Sequence, residues 1–230
     1  MTRLTEDQLA SVRSSLWFST LPLPLQDFLA THGRVVQLAA GQRLFARDAS
    51  ADGLYNVIDG GIRISALATD GREAILAILG APQWFGEIAL FDDLQRTHDA
   101  MAERPTTLLH IPARTLHELL AEQPAYWRDF GRLMAQKLRL LFNMAEIVVM
   151  LPAPQRVARV LMAISEGYGE RRAEVGQTVQ VSQEQLGRMV SLTRQSTNQI
   201  LRQFADDGAI RLVRGGFQLA DVQKLRALSV

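Results

Sequence analysis

The chain has 230 residues, of which 47% are hydrophobic, so it is long enough to bury the cores of two modest domains. It contains no cysteine, which excludes disulfides, thiolate chemistry and cysteine-ligated zinc or iron–sulfur sites. The net charge of +1 is unevenly distributed: residues 1–151 carry 14 basic and 17 acidic side chains, whereas residues 152–230 carry 11 and 7. Positive charge concentrated in the last third of the chain favours a polyanionic partner such as nucleic acid.

The N-terminal residues are charged where a signal peptide needs an apolar stretch, and no run of 18 or more apolar residues occurs. We therefore expect a cytoplasmic protein that does not contact a membrane. Two short helices are predicted ahead of the first strand, at residues 6–14 and 25–31, because Pro22 and Pro24 interrupt the chain between them.

Short β-runs separated by glycine occupy residues 34–111. The runs are RVVQL, QRLF, GLYNVI, GIRISAL, EAILAIL and TTLLHI. Glycines stand between them or at their edges, where tight turns need a positive φ. This pattern predicts a small antiparallel β-roll or sandwich.

A long amphipathic helix is predicted after Pro124, ending at Pro152 and Pro154. Its apolar residues recur every three or four positions: Trp127, Phe130, Met134, Leu138, Leu141, Met144, Val148 and Leu151. The mean spacing is close to that of a coiled-coil seam, which predicts that two copies of the helix pair along it. The alternative is a single helix that packs on its own β-roll.

Two closely spaced helices are predicted in the last third of the chain. Ser182 can cap the first helix and Thr193 the second, and only Ser191 and Leu192 separate them, which is typical of a helix-turn-helix. The predicted buried face consists of Leu186, Val190, Leu192, Ile200, Leu201 and Phe204.

The outer face of the second helix carries side chains that suit DNA. Arg, Gln and Asn form paired hydrogen bonds with base edges in the major groove, and this face holds Arg194, Gln195, Asn198, Gln199 and Arg202. Three short hydroxyl side chains are suited to phosphate contacts: Thr193, Ser196 and Thr197. Ser182 at the cap of the first helix is also predicted to contact DNA. Strands at residues 209–213 and 217–219 are predicted to form a hairpin wing that places Arg214 near the DNA backbone.

Three segments together resemble the Crp/Fnr family of transcription regulators: ADGLYNVIDGGIRI, FGEIALFDDLQRT and LTRQSTNQILRQF. They are similar to the glycine-cornered hairpin, the phosphate-binding cassette and the recognition helix of that family, in the same order. The resemblance covers nearly the whole chain and implies an α+β fold. Its parts are an antiparallel β-roll of the double-stranded jelly-roll type at residues 1–123, a long dimerisation helix at 124–151, and a winged helix-turn-helix at 152–230.

The resemblance also implies how the cassette would hold a cyclic nucleotide, cyclic AMP or cyclic GMP. Gly86 would let the backbone approach, and the first N–H groups of a short helix through Ile88 would face the phosphate. Glu87 would accept the ribose 2′-hydroxyl, while Arg96 and Thr97 would bind the phosphate. The alternative is that Glu87 and Arg96 only pair with each other.

Two positions depart from the family pattern. His98 stands where a small residue is usual, so it either crowds the pocket or contacts a base. Relatives that bind cyclic AMP carry neighbouring hydroxyl side chains on the long helix. In this chain the corresponding residues are Leu141, Phe142, Asn143 and Met144, of which only Asn143 has a neutral hydrogen-bonding side chain.

The resulting expectation is a homodimeric, ligand-switched regulator that binds a palindromic DNA site and acts on RNA polymerase. Two alternatives stay open: a ligand-independent regulator whose β-roll is only a dimer scaffold, or a sensor of another ligand such as a cyclic dinucleotide. Neither a P-loop nor a nucleophile turn occurs, so an enzyme is not expected. The histidines lack metal-ligand spacing, so no metal site is predicted and each is expected to be structural: His32, His98, His110 and His117. A haem ligand among them stays open as an alternative.

Overall fold

The computed structural model describes residues 4–67, 71 and 73–229 and divides into two compact units. The first contains residues up to 66 together with 79–138, and the second contains residues 67–78 together with those from 139 onward. The predicted α+β architecture of antiparallel β-roll, long helix and winged helix-turn-helix is confirmed. The boundaries predicted at 123/124 and 151/152 stay a prediction. Within the described ranges, no helix is long and apolar enough to cross a membrane.

Three helices open the first unit: α1 (Glu6–Arg13), α2 (Leu16–Ser19) and α3 (Leu23–His32). Thr5 caps α1, because its hydroxyl accepts a hydrogen bond from the backbone N–H of Gln8 while the Gln8 side chain accepts one from the Thr5 backbone. The sequence predicted α1 and α3 but not α2, which a Ser15 cap begins.

Eight strands lie among the described residues between 34 and 112, and they form two four-stranded sheets. They are β1 (Arg34–Leu38), β2 (Arg43–Phe45), β3 (Gly53–Asp59), β4 (Gly61–Leu67), β5 (Glu73–Gly80), β6 (Trp84–Phe85), β7 (Asp99–Ala102) and β8 (Thr106–Pro112). The strand orders are β1-β8-β3-β6 and β2-β7-β4-β5. All six predicted runs are strands, and the short strands β6 and β7 are additional.

The centre of the first sheet is the antiparallel pair β3 and β8, with Leu54 opposite Ile111 and Val57 opposite Leu108. These four side chains are buried in the core. Aromatic rings from the helices close the core on one side, and Phe18 stacks on Trp84 with ring centroids 5.6 Å apart.

Three further helices complete this part of the chain: α4 (Ala89–Asp92), α5 (Ala113–Glu122) and α6 (Trp127–Met150). The start of α6 packs on its own unit, because Phe130 and Leu133 are buried in the core and the Trp17 indole donates to the Asp129 carbonyl at 2.9 Å. Placing Phe130 in an intermolecular seam was therefore wrong, and the alternative of a helix packed on its own β-roll holds for these first turns.

The later turns of α6 expose apolar side chains. Leu141 is 57% exposed, Phe142 62% and Val149 82%, and Leu138, Val148 and Met150 are also exposed. Exposed apolar side chains grouped along one helix favour an interface.

The second unit contains the helix-turn-helix. From residue 153 onward its α-helices and strands are α7 (Ala153–Ser165), β9 (Thr178–Val179), α8 (Gln183–Met189), α9 (Arg194–Asp206), β10 (Ile210–Val213), β11 (Gly216–Leu219) and α10 (Val222–Ala227). The strands form a sheet in the order β10-β11-β9, and α7 packs against α8, α9 and α10. The predicted buried face is confirmed, except that Leu192 is only half-buried.

Candidate functional site

Arg96 is the one cation of the cassette sequence, and only 4% of its side chain is exposed. Its guanidinium lies 4.3 Å from the centroid of the Phe45 ring and donates to two backbone carbonyls, Gly86 at 3.2 Å and Gly53 at 2.8 Å. These contacts hold the guanidinium in one place, as an anion site requires.

The ionic partner of Arg96 is Asp52, whose Oδ1 lies 2.6 Å from Nη2 of the guanidinium. The other oxygen of Asp52 accepts a 2.5 Å hydrogen bond from the Tyr55 hydroxyl. Burial raises the pKa of the Asp52 carboxyl, but the hydrogen bonds from Tyr55 and Arg96 outweigh burial and hold the pKa below its ordinary value. Asp52 is therefore ionised at neutral pH.

Sequence reasoning did not single out Asp52, which lies in the loop before β3, 44 residues from Arg96. His110 on β8 completes the group, and its Nε2 lies 3.1 Å from the Asp52 carbonyl oxygen. Burial is the main reason that the pKa of His110 falls below its ordinary value, despite the nearby Asp52 carboxylate. His110 is therefore neutral at neutral pH.

Glu87 does not pair with Arg96, so the alternative of a mutual Glu87–Arg96 ion pair was wrong. Glu87 is 4% exposed, and among the described residues its carboxylate has no hydrogen-bond partner. The Nε of Arg96 is likewise buried without a partner in the part of the chain that the structure describes. A buried donor without a partner, together with a carboxylate that no described residue engages, fits a ligand that offers an anionic oxygen and a hydroxyl.

Gly86 has a φ of 92°, and a β-carbon built on it would lie 2.8 Å from Nη1 of Arg96 and 3.0 Å from the Gly53 carbonyl oxygen. Both the conformation and the space therefore require glycine. The short helix begins at Ala89, later than the sequence predicted, and Ile88 at its N-cap is 41% exposed. Because α4 has only four residues, the expectation that its first N–H groups face a phosphate gains no support from the helix itself.

Thr97 is exposed beside Arg96, and its hydroxyl is 2.9 Å from Nδ1 of His98. Burial is the main cause that lowers the pKa of His98, and the charge of Arg47 adds to it. A neutral His98 therefore engages Thr97 in the free protein. Asn143 is exposed on the part of α6 that belongs to the second unit, so its place in a ligand site stays a prediction.

Both helices of the helix-turn-helix begin at the predicted caps. The Ser182 hydroxyl accepts from the backbone N–H of Gln185 at 3.1 Å, and the Gln185 side chain completes a capping box. The Thr193 hydroxyl accepts from the backbone N–H of Ser196 at 3.1 Å. Both hydroxyls therefore fix helix ends.

The outer face of α9 exposes the predicted base-reading side chains Arg194, Gln195, Gln199 and Arg202. Asn198 is half-buried, and its amide donates to the Gln183 side chain of α8 at 2.7 Å. Thr197 was wrongly predicted to contact phosphate, because it is fully buried and donates to the Thr193 carbonyl at 2.9 Å.

The wing is a tight hairpin whose strands pair from Ile210 opposite Leu219 to Val213 opposite Gly216. Arg214 is exposed at its turn, followed by Gly215 with a φ of 78°. The strands therefore begin and end within one residue of the prediction, and Arg214 is free of a packing role.

Two family models match the chain: the cyclic nucleotide-binding domain over residues 35–123 and the Crp-like helix-turn-helix domain over residues 155–228. The chain belongs to the Crp/Fnr family of transcription regulators. It is a DNA-binding regulator with a cyclic-nucleotide-binding domain, and not an enzyme.

Relatives of known identity align over most of the chain. A CRP-like cAMP-activated global transcriptional regulator of Mycobacterium tuberculosis is 29% identical over 191 residues, which covers 83% of this chain and 85% of the relative. The cAMP-activated global transcriptional regulator CRP of Haemophilus influenzae is 26% identical over 201 residues, which covers 86% and 89%. The FixK2 structure from Bradyrhizobium japonicum has the same fold, with a TM-score of 0.76 at 20% identity over 86% of this chain and 98% of that one.

Proposed function

We propose that this chain is a cytoplasmic, homodimeric transcription regulator whose β-roll binds a cyclic nucleotide, cyclic AMP or cyclic GMP. The observation that carries the effector is the Nε of Arg96, which is buried without a partner among the described residues, in a cassette whose Glu87 carboxylate is not paired with Arg96. The aligned relatives from Mycobacterium tuberculosis and Haemophilus influenzae are named as cAMP-activated regulators, which supports the same ligand class.

Arg96 and Glu87 have different roles in this proposal. The guanidinium binds the cyclic phosphate by charge-assisted hydrogen bonds, with Thr97 as a further donor. The Glu87 carboxylate accepts the ribose 2′-hydroxyl, and Gly86 and Ile88 shape the approach. Asn143 is the proposed contact to the base.

The dimer and the DNA contacts follow from exposed surfaces. The apolar stripe on α6 that includes Leu141, Phe142 and Val149 is proposed to pair with its copy. Two-fold symmetry then presents two α9 helices to half-sites about one helical turn apart in a palindromic site. Base edges are contacted by Arg194, Gln195, Asn198, Gln199 and Arg202, and phosphates by Ser182, Thr193, Ser196 and Arg214. Such a regulator acts on RNA polymerase.

Calorimetric titration of ligand-free protein with cyclic AMP, cyclic GMP and cyclic di-GMP tests the effector. We expect micromolar binding of one cyclic mononucleotide that is lost in Arg96→Ala. The matched control is Arg47→Ala, which removes an exposed arginine paired with Asp48. Binding that survives Arg96→Ala would contradict the site.

A ligand-independent regulator is the second candidate, and the Arg96–Asp52 ion pair favours it because the cation already has an anionic partner. It predicts that operator affinity is unchanged by every nucleotide tested and that no heat is measured. Exclusive binding of cyclic di-GMP would instead identify the third option, a sensor of a cyclic dinucleotide.

A further inference from the structure

The two partners of the Arg96–Asp52 ion pair differ greatly in their exposure to water. The Arg96 side chain is 4% exposed and is fixed by the Gly53 and Gly86 carbonyls, whereas the Asp52 side chain is 54% exposed. The guanidinium is therefore held in place, while the exposed carboxylate can return to water once another anion takes its position beside Arg96.

Asp52 occupies one of the hydrogen-bonding atoms of the guanidinium, Nη2. Its Oδ1 is 2.6 Å from Nη2, within the range of a charge-assisted hydrogen bond. The remaining hydrogen bonds of Nη1 and Nη2 go to backbone carbonyls, which carry no net charge and stay in place. Among the described residues, Asp52 is the only acidic side chain within ion-pair distance of the Arg96 guanidinium.

We propose that Asp52 is a built-in competitor for the anion position of Arg96, which a ligand displaces only if it carries an anionic phosphate group. This inference rests on the proposed effector function. A cyclic phosphodiester has one negative charge, so the exchange leaves the buried guanidinium neutralised. A neutral nucleoside cannot make the exchange, so Asp52 sets both the affinity and the requirement for charge.

The displaced carboxylate keeps a partner. The Tyr55 hydroxyl donates to Oδ2, the oxygen that does not touch Arg96, and His110 Nε2 lies 3.8 Å from the same atom. Because the carboxylate keeps these contacts and gains water when it leaves Arg96, it competes only moderately with a ligand phosphate for the guanidinium. A charge-assisted hydrogen bond half exposed to water corresponds to about a three- to tenfold effect on affinity.

The test compares Asp52→Asn with the wild-type full chain by calorimetry, using cyclic AMP, cyclic GMP and adenosine. Asparagine keeps the shape and removes the charge, so we expect the bound cyclic nucleotide to bind about three- to tenfold more tightly, with no gain for adenosine. The matched control is Asp48→Asn. The Asp48 backbone N–H donates to the Arg96 carbonyl at 2.8 Å, but its carboxylate faces Arg47, so affinity should stay unchanged.

The outcomes separate the exchange from the proposed effector. Equal or weaker binding of the nucleotide in Asp52→Asn, with normal binding in the wild type, would overturn the exchange alone. An equal gain in nucleotide affinity in Asp48→Asn would also overturn the exchange, because the loss of any nearby negative charge would then explain the gain. No binding of either nucleotide in either protein would overturn the effector function together with the exchange.

A measurement on the wild-type protein tests the proposal without requiring that a variant folds correctly. The pKa of the Asp52 carboxyl, followed by ¹³C NMR, should rise when the protein is saturated with the cyclic nucleotide, because Arg96 is lost as a partner. The groups that face this carboxyl are Tyr55, Arg96 and His110. An unchanged pKa on saturation would show that Asp52 stays on Arg96.

Discussion

A β-carbon built on Gly187 of α8 would lie 3.0 Å from the Thr197 hydroxyl on α9 and 3.1 Å from the Leu192 carbonyl oxygen. Thr197 is fully buried, and its hydroxyl donates to the Thr193 carbonyl. Neither neighbour is therefore a flexible side-chain end that can move away. The two helices of the DNA-binding motif reach their close approach because position 187 has no side chain.

Gly187→Val should lower the free energy of unfolding of the helix-turn-helix by about 2 kcal/mol, because overpacking displaces α8 from α9. Gly131→Val is the matched control, since a β-carbon on Gly131 in α6 meets no atom within 4 Å and its effect should stay within about 0.5 kcal/mol. Denaturant unfolding of both variants measures the difference. Equal losses in both would show that the helix contact at Gly187 is not tight.

Arg194→Ala should cost about 1–3 kcal/mol of binding free energy on the specific site and relax the preference at one base position. The reason is that Arg194 is exposed at the first position of α9, where side chains reach base edges. Fluorescence anisotropy with single-base variants of the operator measures this loss.

The contrast is Arg214→Ala at the turn of the wing. Loss of a phosphate contact should weaken specific and random DNA alike and reduce the slope of log affinity against log salt by about 1. If Arg194→Ala also weakens both kinds of DNA equally, Arg194 contacts phosphate and not a base.

Leu141→Glu should dissociate the proposed dimer into monomers, because a charge on the apolar stripe of α6 has no partner at a pairing seam. Sedimentation velocity at several protein concentrations measures the change. Leu23→Glu is the control: Leu23 at the start of α3 is 72% exposed and lies outside the stripe. A dimer that survives Leu141→Glu would place the interface elsewhere.

The contribution of Asp52 to stability should depend on pH in a defined direction. Its folded-state pKa is lowered, so the contribution is present above the unfolded value of about 3.9 and is lost as the pH falls through the folded value. Asp52→Asn should therefore lower the free energy of unfolding by about 1 kcal/mol at pH 7, since exposure to water screens the pair. The difference from wild type should shrink below about pH 4. A difference that is constant down to pH 2.5 would mean that the charge of Asp52 does not contribute.

The sequence predicted elements whose signal is local and periodic. The six β-runs, α6 and the capped helices α8 and α9 all lie where hydrophobic spacing and caps placed them. The strand Trp84–Phe85 has only two residues, and Asp99–Ala102 mixes an acidic residue with small ones, so neither has a readable period. The helix Ala113–Glu122 was missed although Leu116, Leu119 and Leu120 have helical spacing.

The site was predictable where a motif defines it and not where the fold assembles it. Arg96, Glu87 and Gly86 lie together in the cassette, as the motif indicated. Asp52 comes from a distant loop, and the backbone hydrogen bonds of Arg96 with Asp48 and Ala49 in that loop bring the two residues together. Burial on the inner face of α9 explains the error at Thr197, because the spacing of hydroxyls alone does not show which face they occupy.

Gly86 also provides a marker that can be read without a structure. Any other residue there strains a backbone at φ 92° and pushes on the Arg96 guanidinium. A family member whose corresponding position has mutated away from glycine must therefore move its arginine or lose it as an anion site. Genome surveys can use this one codon to separate regulators that have kept the pocket from those in which the β-roll has become only a scaffold.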